Sequence, residues 1–203
     1  MRLLIVAPIL HDESDMGTLS VSVREQFIEK NSLQEWDNYQ EKIRLWWSVI
    51  DARLEELLQA LALPFEKIRI YQDGLIDGGN LEKIIQEVAG KGSKNYRLLQ
   101  SLMQRGAAVM GTESAELLIS EYQFQKTNLH PSQGLGTEDG SLDKTGQALL
   151  LERDKYIAAR INNTLCEGEV GFLFIGLRHA VESHLSSDIK CRHLIEVPNL
   201  KKN

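Results

Sequence analysis

The side chains best suited to chemistry in this chain are two histidines, His11 and His179, each lying shortly after a run of apolar residues. Imidazole changes charge near neutral pH and is a common ligand for divalent metals. Two carboxylates, Asp73 and Glu113, also follow short apolar runs, one ending at Tyr71 and the other at Met110. Two histidines with one or two carboxylates suffice to hold a metal and activate a water, with His11, His179 and Asp73 as ligands. Without a metal, the same set offers a histidine base oriented by a carboxylate. Arg153 adds a planar, permanently charged fork that fits a carboxylate or a developing oxyanion. Each residue also has an ordinary use as a helix cap, a turn residue or half of an ion pair.

These groups meet only if the elements before them share a sheet edge. Leu3 to Ala7 is apolar without alternation, the pattern of a strand covered on both faces, and Pro8 is expected to end its pairing. Apolar residues then recur at three and four from Trp36 to Leu63, which predicts a long amphipathic helix stopped by Pro64. Trp46 beside Trp47 widens its apolar stripe, as core or as an oligomer contact. Further strands are expected over Lys67 to Tyr71, Ala107 to Met110, Val170 to Ile175 and His193 to Val197. Helices are expected between them: the spacing of Ser22 and Glu25 signals one start, others span about 81–88, 95–104 and 115–123, and two more run over 149–165 and 180–185. Strands alternating with helices predict one α/β domain over 1–203, built on a mainly parallel sheet of about five strands. Ligands bind at the carboxyl edge of such a sheet, where His11, Asp73, Glu113 and His179 would converge. Residues 128–146, with Pro131 and four glycines, are expected to form a long loop, either a lid or simply disordered.

Other functions are disfavoured. The net charge is −6 and no Lys/Arg cluster offsets it, so nucleic acid is not an expected partner. Cys166 and Cys191 form no CxxC pair and are read as reduced and structural. The run from Leu3 to Leu10 is too short for a membrane span and lacks a cleavage site, so a cytoplasmic protein without a membrane partner is expected. Gly111-Thr112-Glu113 could cradle a phosphate, but no Walker lysine accompanies it and Glu113 would repel the ligand. There is no Gly-x-Ser-x-Gly elbow for a covalent nucleophile. On a regular helix His184 is turned about 140° from His179, and His130 and His193 read as bystanders.

Glu152-Arg153-Asp154-Lys155-Tyr156, taken with Gly176-Leu177-Arg178-His179, resembles the C-terminal part of the TraB, ChaN, TIKI and erythromycin-esterase-like superfamily. In that group a helix carrying a Glu-Arg pair precedes an apolar strand ending in Gly-x-x-His, and a comparable Gly-x-x-His ends the first strand. Here the first copy reads Pro8-Ile9-Leu10-His11, without the glycine, and Asp73 or Gln72 stands where the family has a carboxylate after its second strand. The resemblance covers the two ends of the chain. It implies hydrolysis of an amide or ester bond, with a divalent metal in the TIKI branch and a histidine base in the esterase branch; other branches bind haem or have no settled activity. The expected function is therefore a hydrolase of a small molecule or peptide, using manganese, zinc or cobalt. His11 and His179 would be ligands, or ligand and base, with Asp73 or Glu113 as carboxylate partner and Arg153 as orienting cation. The alternative is a non-catalytic ligand-binding or interaction protein of the same fold, dimeric through the helix from Trp36 to Leu63.

Overall fold

A computed structural model describes residues 2–14, 16–128 and 143–196. Its five strands form one sheet in the order β3-β2-β4-β1-β5, and every neighbouring pair is parallel. They are β1 (Arg2–Ile9), β2 (Ile68–Gln72), β3 (Ala108–Met110), β4 (Val170–Gly176) and β5 (Ile189–His193). The helices among the described residues are α1 (Ser20–Lys30), α2 (Leu33–Leu61), α3 (Leu81–Gly90), α4 (Lys94–Gln104), α5 (Ala115–Asn128) and α6 (Lys144–Thr164). This is the α/β architecture expected. No helix among the described residues is long and apolar enough to cross a membrane.

Unbroken apolar runs become central strands because both of their faces are covered. Ile5, Ala7, Ile70, Phe172 and Phe174 face one way, against Ile43, Trp47, Ile50 and Leu54 of α2, Ile85 of α3 and Leu99 of α4. Leu4, Val6, Tyr71, Leu173 and Ile175 face the other way, against Ile157 and Ile161 of α6 and Val181. The path therefore steps from β1 out to β3 with α2, α3 and α4 on the first face. It returns through α6 on the second face, and β4 fits between β1 and β2. Connections leaving β2 and β4 diverge to opposite faces, the arrangement that in open α/β sheets marks the carboxyl ends of the two strands as the place for a ligand.

Several boundaries differ from expectation for identifiable reasons. Pro8 does not end β1, which pairs with β4 through Ile9↔Gly176. Alternate residues of a strand point their backbone groups to the same side, and Val6 accepts from Leu194 on the β5 side. Pro8 therefore turns its missing N–H toward the side where β5 pairing has stopped at Val6↔His193. Its carbonyl there accepts from Trp46 Nε1 at 3.1 Å, and Trp47 Nε1 donates to Leu10 at 2.9 Å. The paired tryptophans thus fasten α2 to the end of β1. α2 starts earlier than the apolar period suggests because Ser32 caps it, accepting from the Glu35 N–H. β5 occupies Ile189–His193, where only Ile189 and Cys191 pack inward and Lys190 and Arg192 are exposed, so this edge strand has no continuous apolar run. The expected helix over 180–185 is only a short 3-10 turn, Val181–His184. Of the expected 128–146 loop, residues 129–142 lie outside the described residues. Asp143 caps α6 by accepting from Gly146 N at 2.8 Å, so the helix claims the end of that segment.

Candidate functional site

Asp73 continues from β2, and its N–H donates to Phe174 O at 2.9 Å, carrying the β2–β4 register one step further. Its Oδ2 accepts from Gly176 N at 3.1 Å. A Cβ at Gly176 would stand 3.2 Å from that oxygen, so the glycine lets the carboxylate lie against the end of β4. Gln72, the other candidate at this point, is buried and donates from Nε2 to Asp73 O at 3.0 Å, whereas the Asp73 side chain carries the contacts to Gly176, His179 and Arg153.

From Gly176 the chain turns at once, His179 N donating to Gly176 O at 3.2 Å. The turn inserts His179 between two carboxylates. Nδ1 lies 2.5 Å from Asp154 Oδ1, and Nε2 lies 3.4 Å from Asp73 Oδ2. Asp154 is itself fixed, since its Oδ2 accepts from Ala180 N at 2.8 Å.

α6 lies on the apolar face opposite α2 and leads into β4, which brings its earlier half to the carboxyl edge and Arg153 and Asp154 to the ends of β2 and β4. Arg153 Nη2 donates to Asp73 Oδ1 and to Glu113 Oε1, each at 2.6 Å, and Nε reaches Glu113 Oε2 at 3.3 Å. Nη1 is paired with Glu121 of α5. Glu113 is fully buried and is held by lacing between the segments after β2 and β3. Thr112 N and Glu113 N both donate to Leu75 O, at 2.9 and 3.1 Å, and Asp77 N donates back to Glu113 O at 2.7 Å. Arg160, two turns beyond Arg153, completes this lacing through Asp77 Oδ1 at 2.7 Å and Gly111 O at 3.1 Å.

The electrostatics follow from burial set against pairing. Burial alone would raise Asp73, but its bond to His179 and the charges of His179, Arg153 and His11 reverse this and hold it well below the ordinary range. Burial would lower His179, yet its bonds to Asp154 and Asp73 outweigh that and push it up to about 9. For Glu113 burial is the stronger influence, and it stays above the ordinary range despite Arg153.

His179, Asp73, Glu113 and Arg153 thus form one bonded network. His11 is exposed beyond the end of β1, close enough for its charge to help lower Asp73. Asp154 and Glu121 were not among the sequence candidates. Asp154 could have been found, because it lies on the apolar stripe of Ile157, Ala158 and Ile161. Glu152, the glutamate of the Glu-Arg pair, instead binds exposed Lys155 at 2.8 Å. His193 pairs with Glu182 at 3.1 Å on the surface, and His130 lies outside the described residues.

Among the described residues no three His, Cys, Asp or Glu side chains are gathered to hold a metal ion. One pair has a compatible spacing, although His179, raised to about 9, must give up a proton before it can bind an ion. Two ligands about 2.1 Å from a tetrahedral ion lie about 3.4 Å apart, and His179 Nε2 is 3.4 Å from Asp73 Oδ2. Asp154 behind Nδ1 is the outer carboxylate that metal-bound histidines usually have.

The metal-free chain should show the His179 charge in its stability. An ordinary value of 6.5 rising to about 9 on folding makes this contribution full below about pH 6.5 and lost as the pH climbs through about 9. Its size is on the order of 3 kcal/mol. Urea unfolding at pH 6 and pH 10 should therefore show a steeper loss in the wild type than in His179→Gln; parallel losses would refute it. In comparisons with family models, curated proteins and solved structures, nothing matches this chain.

Proposed function

We propose that this protein is a hydrolase of amide or ester bonds working at the carboxyl ends of β2 and β4. The observation that carries the reading is the Asp154–His179–Asp73 line, in which an imidazole and a carboxylate face each other at 3.4 Å with their far sides already fixed. Asp73 and His179 would hold a divalent ion, with exposed His11, whose charge reaches Asp73, as a further ligand. Such an ion, when bound, supplies a water ionised near neutral pH.

The chain's own residues prepare that site. Asp154 engages Nδ1 and leaves Nε2 directed at Asp73. Arg153 holds the second oxygen of Asp73 and keeps the carboxylate ionised and fixed in direction. The low exposure of both side chains excludes bulk water and strengthens each interaction.

The test is turnover of p-nitrophenyl acetate and of a peptide anilide by chelator-treated protein, to which manganese, zinc or cobalt is added back. Turnover should depend on the metal, and His179→Gln and Asp73→Asn should each lower kcat/KM about a hundredfold. His193→Gln should have no effect. Failure of all three metals to support turnover, or undiminished activity in His179→Gln, would overturn the reading.

A further inference from the structure

The contacts of Arg153 are unequal. Nε and Nη2 serve Glu113 and Asp73, which are buried, whereas Nη1 serves Glu121, whose side chain is 25% exposed. Asp73, Glu113, Arg153, Asp154 and His179 stand on or beside strands or on the core-packed face of α6. Glu121 stands on α5, where no described side chain of residues 115–127 is buried. Ile119 and Tyr122 are exposed, so moving α5 disturbs less apolar burial than moving any other part of the network. Glu121 also has a second partner, since its Oε1 accepts from Gln125 Nε2 one turn on at 3.1 Å.

Charge determines how Nη1 can be used. Asp73, Glu113, Glu121 and Asp154 already surround Arg153 and His179 with more carboxylates than cations. Another anion added beside them would be repelled, but an anion that replaces Glu121 leaves the balance unchanged.

We propose that Glu121 holds the place of a substrate carboxylate: the substrate carries a free carboxylate near its scissile bond, and this group exchanges with Glu121 on Arg153 Nη1. The inference rests on the hydrolase reading and narrows its substrate to acid-bearing amides or esters. The carboxylate can belong to a small acid or to a peptide C-terminus, and both place the same group on the arginine.

Calorimetry at pH 7 tests it with two probes, benzoate and N-acetyl-dialanine, each compared with its carboxamide. Glu121→Gln should bind at least one carboxylate about tenfold more tightly than the wild type, with no gain for the carboxamides. Gain with benzoate alone indicates a small acid, and gain with the dipeptide indicates a peptide terminus. Glu121→Asp, too short to reach Nη1, should gain in the same direction. Glu116→Gln removes an exposed charge from the same helix and should gain nothing. A gain below about threefold for both carboxylates, or an equal gain in Glu116→Gln, overturns the proposal. Because binding is read without turnover, a chain that hydrolyses nothing yet shows the Glu121-dependent gain loses the hydrolase reading and keeps the carboxylate site. The opposite pattern does the reverse.

Discussion

Arg153→Met should lower the unfolding free energy by about 3–5 kcal/mol at pH 7, and the deficit should shrink as the pH is lowered toward 5. The arginine is buried, and its removal leaves Glu113 buried with no cation beside it, while Asp73 keeps His179. Uncompensated buried carboxylates recover by taking up protons. The folded-state value of Glu113, already above the ordinary range, then rises further, so the variant gains stability relative to the wild type as the pH falls. In the wild type Asp73 has the opposite sign: its folded value is depressed, and its contribution is present above the ordinary value of 3.8 and lost as the pH falls below it. Urea unfolding of both proteins at pH 7 and pH 5 checks the prediction. A deficit that stays constant with pH would mean that the arginine matters only for packing.

Gly111→Ala should cost about 3 kcal/mol, the upper end for overpacking, because nothing in its path can rotate away. A Cβ there would stand 2.4 Å from Asp77 Cα, 2.6 Å from Ile76 O and 2.8 Å from Asp77 N, all of them backbone atoms. Relief requires the segment after β2 to lift from the segment after β3, which breaks the lacing that holds Glu113. Gly90→Ala is the matching control. It ends α3 with open space around it, so its effect should be neutral or stabilising by up to about 1 kcal/mol. Thermal unfolding of the two variants should separate them clearly; equal midpoints would show that the segments part easily.

The elements legible in the sequence were those buried on a whole face or on both. β1, β2, β4 and α2 announce themselves because burial imposes an apolar run or an apolar period. Asp73, Glu113 and His179 could be placed at one edge because each follows a strand of a parallel sheet. β5 was misplaced because an edge strand needs only alternate apolar residues. Asp154 and Glu152 differ by two positions on α6, and choosing between them requires knowing which face of the helix meets the strands. Glu121 was out of reach for a different reason: α5 has no buried stripe to orient it, so its contact with Arg153 exists only once the sheet has been assembled. The strand order was equally hidden, since an alternating chain does not reveal where a returning strand will insert.

That insertion has a consequence for how the molecule is made. β1 and β2 are both complete within the first part of the chain, yet they are not neighbours, and β4 inserts between them to pair with each. A growing chain that has passed α5 but not yet delivered β4 therefore carries two apolar strands whose facing edges are both open, the condition that invites pairing with other chains. β4 acts as a keystone, and the contacts it closes span most of the sequence, which makes a late and comparatively slow step. The same strand ends in the turn that presents His179, so the moment that seals the sheet is also the moment that completes the site.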